Sequence, residues 1–175
     1  MKNLTKLFAI AVVILGFAAT TFAQVPVGVS ANATATGTII TPITITNAGD
    51  LNFGNVAVSA SGGTVILTPA GSRTTTGGVT LPNFNIGTVT AAHFDVTGTA
   101  GYTYAITLPS APTTVTSGSN SMLVNAFTST PTTTGALDGS GEQTIDVGAT
   151  LNVNAAQAAG TYESATPFTV TVNYN

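Results

Sequence analysis

Residues 101–109 read GYTYAITLP and residues 168–175 read FTVTVNYN. In the first stretch Tyr102, Tyr104, Ile106 and Leu108 alternate with Thr103, Ala105 and Thr107; in the second, Phe168, Val170, Val172 and Tyr174 alternate with Thr and Asn. A period of two puts each apolar set on one face of a strand, so both stretches predict strands buried on one side. The same reading extends outward. The 152 residues beyond Ala23 hold 32 Thr, with many Val, Ile, Gly and Ala and few of the straight-chain residues that favour helix; β-branched side chains fit a pleated, half-buried surface. Turn-rich clusters punctuate the pattern: Asn47–Asp50, Ser61–Gly63, Ala70–Ser72, Gly77–Gly78, Gly98–Gly101, Ser117–Asn120 and Asp138–Gly141. Such spacing predicts an all-β, immunoglobulin-like antiparallel β-sandwich formed by one domain over 24–175. Only Ala155–Gly160 suggests a helical turn.

The first 23 residues carry the marks of a cleavable signal peptide. Lys2 and Lys6 precede the apolar run Leu7–Phe17, and Thr21-Phe22-Ala23 is a small-residue cleavage site, which leaves Gln24 first. The run is short for a bilayer, and no later segment approaches the roughly 18 apolar residues of a spanning helix. With the leader gone, Arg73 is the one cation against Asp50, Asp95, Asp138, Glu142, Asp146 and Glu163, a net charge of −5. One cation cannot neutralise a row of phosphates, which argues against nucleic acid and anionic lipid as partners. With no cysteine in the chain, packing and backbone hydrogen bonds must hold the fold.

Past the cleavage site one apolar phase runs through Val25, Val27, Val29, Ala31, Ala33, Ala35, Gly37, Ile39, Ile43 and Ile45. At ~3.3 Å per residue this exceeds what one strand of a small sandwich uses. Residues 24–38 are therefore a candidate donor strand, carried by Val25, Val27, Val29, Ala31, Ala33 and Ala35. The candidate acceptor edge is the last strand, with Phe168, Val170, Val172 and Tyr174. Pairing in cis, within the chain's own sandwich, is the competing outcome.

The residues that could carry chemistry are sparse. His93 is the only histidine; Asp95, two positions on, shares its strand face, yet no GxSxG elbow accompanies them. One His and no Cys cannot fill a tetrahedral zinc site. Asp138-Gly139-Ser140-Gly141-Glu142 spaces oxygens like a calcium loop but lacks the glycine and distal Glu of one, and reads as a hairpin turn. Phe84, Phe94, Phe127, Phe168, Tyr102, Tyr104, Tyr162 and Tyr174 read chiefly as core, with a sugar-stacking platform as the other use of such rings. No catalytic, cofactor or metal residue is assigned.

Thr41-Pro42-Ile43-Thr44-Ile45, Asp50-Leu51-Asn52-Phe53-Gly54, the stretch 101–109 and the closing 146–175 together resemble domain of unknown function 4402, a family of secreted bacterial β proteins without an established activity. The final strand, with its penultimate Tyr174 and Gly160 upstream, is more distantly similar to chaperone-usher fimbrial subunits and spore-coat-U-like proteins. The leader predicts export to the periplasm, outer surface or surroundings of a bacterium. Export, the long N-terminal apolar phase and the sparse chemistry together predict a structural or adhesive surface role rather than an enzyme, with partners among copies of the chain or related subunits; an envelope glycan-binding module and a small outer-membrane β-barrel are the other expectations. Intact mass of the exported protein is expected to show Gln24, free or cyclised, as the first residue; a retained Met1 would overturn the leader.

Overall fold

A computed structural model of the chain describes residues 28–175. The leader and its cleavage site, with Gln24, Val25 and Val27, lie outside the described residues. The chain divides into two units, Met1–Thr38 and Ile39–Asn175. In the first, residues 28–38 are exposed and enter no ladder.

The second unit is all-β and antiparallel, with no helix among the described residues. Its strands are β1 (Thr44–Gly49), β2 (Asn52–Phe53), β3 (Ala57–Leu67), β4 (Arg73–Thr80), β5 (Val89–Thr90), β6 (Ala92–Thr97), β7 (Thr103–Thr107), β8 (Thr113–Ser117), β9 (Asn120–Thr130), β10 (Thr134–Ala136), β11 (Glu142–Val153), β12 (Glu163–Ser164) and β13 (Thr171–Tyr174). One curled sheet of eight strands runs β1-β6-β11-β9-β8-β12, with β3 also paired to β11 and β4 to β3. A three-stranded sheet runs β10-β7-β13, and β2 pairs with β5.

Strand β11 organises both cores. Ile145, Val147, Ala149, Leu151 and Val153 all face inward and are buried. Along one flank β6 pairs with Glu142–Val147 and β3 then takes over from Ala149 to Val153; β9 lines the other flank. The first half of β11 helps build a core with Ala92, Val96, Tyr104, Ile106, Leu137, Val170 and Val172, drawn from β6, the three-stranded sheet and their connections. The second half builds another with Val65, Val79, Met122 and Val124, against which Phe53, Leu81 and Tyr162 pack. Leu51 and Phe127 reach both.

The position of Phe127 depends on a bulge. Gly148 pairs with Thr128 and Thr150 with Asn125, so β9 carries one extra residue, and Ala126 takes a φ of 48°. The extra residue reverses the phase of the strand: Met122 and Val124 point inward before it, Phe127 and Ser129 after it.

Several sequence readings need correction. Asn47–Gly49 is the bulged end of β1 rather than part of a turn. Ser61–Gly63 and Gly77–Gly78 are not turns but lie within β3 and β4, where the ladder shifts between Val58 and Gly63. The two backbones come so close there that a Cβ on Gly63 would overlap the Thr76 carbonyl, and one on Gly78 the Ser61 carbonyl. Glycine serves close approach at this corner rather than reversal of the chain. Ala155–Gly160 is a loop, held by the Ala156 amide donating to Ser59 O (3.1 Å). The hairpins at Ala70–Ser72, with Gly71 at φ 79°, and at Ser117–Asn120, with Gly118 at φ 59°, are turns as expected.

Gly148 sits where the neighbour of β11 changes from β6 to β3, and a Cβ there would overlap the Leu67 carbonyl oxygen. Gly148→Ala is expected to cost about 1–3 kcal/mol in urea unfolding, as overpacking against backbone does. Gly139→Ala, in open space, should stay within about 0.5 kcal/mol of the parent. Equal midpoints for the two variants would remove Gly148 from its role.

Candidate functional site

The last strand offers an unpaired edge. Among the described residues β13 pairs only with β7, in the register Thr171↔Thr107, Val172↔Ile106, Asn173↔Ala105 and Tyr174↔Tyr104. The Asn175 amide donates to Thr103 O, whereas the Ile106 amide donates to Thr133 O and the Leu137 amide to Tyr102 O, both on the β10 side. In an antiparallel ladder bonding pairs alternate, so Thr171, Asn173 and Asn175 direct their main-chain groups at β7. Those of Val172 and Tyr174 therefore point the other way, along the open edge.

Strand β13 begins only at Thr171, so Phe168 and Val170 lie in the segment entering it, and the apolar side chains of both stretches are committed inward. Val170 and Val172 are buried, and Phe168 and Tyr174 pack against the same core. The Phe168 ring lies 4.8 Å from that of Phe127 and 6.2 Å from that of Phe94. Tyr174 stacks edge-on against Tyr102 at 5.7 Å; its hydroxyl accepts from the Thr99 amide (2.7 Å) and donates to Thr41 O (2.9 Å). The four residues read from the sequence as an acceptor edge thus share one apolar face, while the strand offers its open edge through main-chain groups. Of the residues read as a donor strand, Val29, Ala31, Ala33 and Ala35 are exposed and outside any ladder, Val29 at 96%. Val25 and Val27 lie outside the described residues.

His93 does not join Asp95. It pairs across the ladder with its register partner on β11, its Nδ1 lying 2.5 Å from Asp146 Oδ1. Asp95 instead accepts from the Thr144 hydroxyl (3.0 Å). The sequence separation of 53 residues hid the Asp146 contact, because only strand register brings the two together. Both side chains are more than a third exposed, and such a pair is worth roughly 0–1 kcal/mol. Among the described residues no three His, Cys, Asp or Glu side chains gather closely enough to hold a metal ion, and no helix is long and apolar enough to cross a membrane.

The aromatic set divides. Tyr104 is fully buried and donates through its hydroxyl to Gln143 Oε1 (2.7 Å), an oxygen that also accepts from the Ala136 amide (2.9 Å); burial raises the phenol above its ordinary value. Phe94, Phe127 and Phe168 pack on the first core, Tyr162 on the second. Phe84 departs from the core reading, being 85% exposed, and Tyr102 is 43% exposed.

Asp138 forms a turn but not a hairpin, since it joins β10 of the three-stranded sheet to β11 of the eight-stranded one. Its Oδ1 accepts from the amides of Ser140 (2.8 Å) and Glu142 (3.0 Å), while Gly141 takes a φ of 81°. The Glu142 and Ser140 amides hold the carboxyl below its ordinary value. The ionised carboxylate therefore contributes stability that is present above the unfolded aspartate pKa and lost as pH falls through the lower folded value. Asp138→Asn is expected to be less stable than the parent at neutral pH, with the gap closing below about pH 4. Urea midpoints at pH 7, 5 and 3 measure it; a constant gap would mean that the charge does not stabilise the turn.

No curated protein and no solved structure matches the chain. The family model "Domain of unknown function (DUF4402)" matches residues 43–174, from the isoleucine entering β1 to the tyrosine ending β13, and the chain belongs to that family.

Proposed function

We propose that the protein is an exported, non-enzymatic subunit of the bacterial envelope or cell surface, fimbria-like or adhesive, which assembles by strand addition. In this reading its second unit is an immunoglobulin-like, pilin-like sandwich. Residues 24–38 of one copy pair with the open edge of β13 in another. The observation that carries the reading is the unpaired β13 edge, with Val172 and Tyr174 directing main-chain groups outward over a buried apolar face. The exposed, ladder-free Val29, Ala31, Ala33 and Ala35 support it. Strand addition draws affinity from main-chain hydrogen bonds and register from alternate side chains. Small alanines at alternate positions suit entry beside a packed core. Head-to-tail addition does not close on itself, so it builds filaments.

Deleting residues 25–35 tests this by sedimentation and thermal melting. The mature protein is expected to polymerise, and the truncated one to stay folded as a monomer that binds a synthetic peptide of residues 24–38. A mature protein that is already a stable monomer, and that merely melts lower when truncated, would place the strand in its own core.

A further inference from the structure

The connection between β4 and β5 reads Leu81-Pro82-Asn83-Phe84-Asn85-Ile86-Gly87-Thr88. Phe84 is 85% exposed and Ile86 48%. Fully burying a ring of this size is worth roughly 1.5–3 kcal/mol, and here that contribution to folding is forgone.

The loop beneath the ring is tightly fastened. Leu81 enters the second core. The Asn55 amide donates to Ile86 O (2.7 Å), and the Asn55 side chain donates through Nδ2 to Asn85 O (2.6 Å). Gly54 and Gly87, at φ 66° and 71°, let the two segments close on each other: a Cβ on Gly54 would overlap the Ile86 carbonyl, and one on Gly87 would press on Asn55. Arg73 Nη1 donates to Phe53 O (2.5 Å) and Asn55 O (3.2 Å), so the only arginine braces the platform on which the loop stands. Asn85 takes a φ of 53°, a conformation its short amide tolerates better than most side chains. An exposed aromatic on a pre-formed support loses little conformational entropy when a ligand arrives.

The chemistry around the ring narrows the ligand. Asn83 and Asn85 flank Phe84, and both are exposed. Each offers a donor and an acceptor together, which matches a pair of neighbouring hydroxyls. The loop itself contains no ionisable residue, and the Arg73 guanidinium beneath it is engaged by the Phe53 and Asn55 carbonyls, which leaves uncharged groups around the ring. A lipid surface would call for a larger apolar face with basic residues around it. A flat apolar ring between two amides instead suits a pyranose, whose C–H face covers the ring while its hydroxyls meet the amides.

We infer that the 82–86 loop is a contact site for a neutral β-linked polysaccharide, with Phe84 stacking on a sugar face and Asn83 and Asn85 bonding its hydroxyls. β-Linked glucans and their N-acetylated relatives carry mainly equatorial substituents and so present flat C–H faces. The site is separate from strand addition and stands whether or not subunits polymerise.

Depletion of the purified mature protein onto insoluble cellulose and chitin tests the site, with phosphatidylcholine vesicles and sedimentation as parallel arms. The protein is expected to be retained on at least one polysaccharide. Phe84→Ala should weaken retention about tenfold or more, Asn83→Ala with Asn85→Ala should weaken it further, and Phe84→Trp should preserve or strengthen it. The Phe84 variants and Asn83→Ala should melt at the parent temperature, whereas Asn85→Ala should melt lower because alanine tolerates the φ of 53° less well. Lack of retention on both polysaccharides, or retention indifferent to Phe84→Ala, would overturn the inference. So would a Phe84→Ala effect confined to vesicle binding or self-association, which would assign the ring to lipid or to a second copy. A large fall in melting temperature for Phe84→Ala would assign it to stability instead.

Discussion

The second unit depends on the fact that one strand lines two cores. Strand β11 keeps a single inward phase from Ile145 to Val153 while its neighbour on one flank changes from β6 to β3. Because side chains alternate with a period of two, a one-residue slip would turn every apolar residue of that run outward and open both cores together. Gly148 makes the change of neighbour sterically possible by leaving room for the Leu67 carbonyl. On the opposite flank, the extra residue at Ala126 in β9 turns Phe127 to the inside, where it contacts both clusters. Regular pairing and local irregularity are thus coupled: the bulge and the glycine are what permit a long central strand to serve two packing environments.

The scarcity of charge follows the same logic. Only 5% of residues are charged, so the outward positions of the strands are covered largely by hydroxyls and amides. Thr44 pairs with Thr97 and Thr64 with Thr76, each at 2.7 Å across a ladder, and Asn152 reaches Asn125 and Leu123 O. Inside, Gln143 serves Tyr104 and the Ala136 amide, and the Ser129 hydroxyl bonds the Pro131 and Thr132 carbonyls. No buried side-chain nitrogen or oxygen among the described residues is left without a partner. Isolated hydroxyls and amides are cheaper to desolvate than charges, which makes a threonine-rich surface compatible with close contact to another strand or to an uncharged ligand.

Both proposed contacts use parts of the fold that its packing leaves available. An open edge exposes main-chain donors and acceptors that another strand can pair with, and natural sheets usually cover or shorten such edges. Here β13 is short, yet its inward side chains are anchored in the core, so the edge is held in a fixed position. The Phe84 loop is likewise held by Asn55, Gly54, Gly87 and Arg73 rather than by its own tip. In each case rigid support lies behind an unsatisfied surface, an arrangement that lowers the entropy lost on binding.

Sequence alone determined the β class, the inward faces of residues 104–108 and 168–174, the turn at Asp138 and the family resemblance. All of these are local: a period of two, a carboxylate within reach of amides two and four residues on, and short strings of residues. The tertiary structure alone decided that Gly62, Gly63, Gly77 and Gly78 form a corner and not two turns, that His93 meets Asp146 and not Asp95, and that Phe84 stands outside the core. It also decided where the long N-terminal apolar phase enters the sheet: Ile39 is 99% exposed, Ile43 and Ile45 pack on the first core, and β1 begins only at Thr44. Each of these depends on which distant segment lies alongside. Alternation specifies the faces of a strand, but its neighbours are set by register and packing across the whole chain.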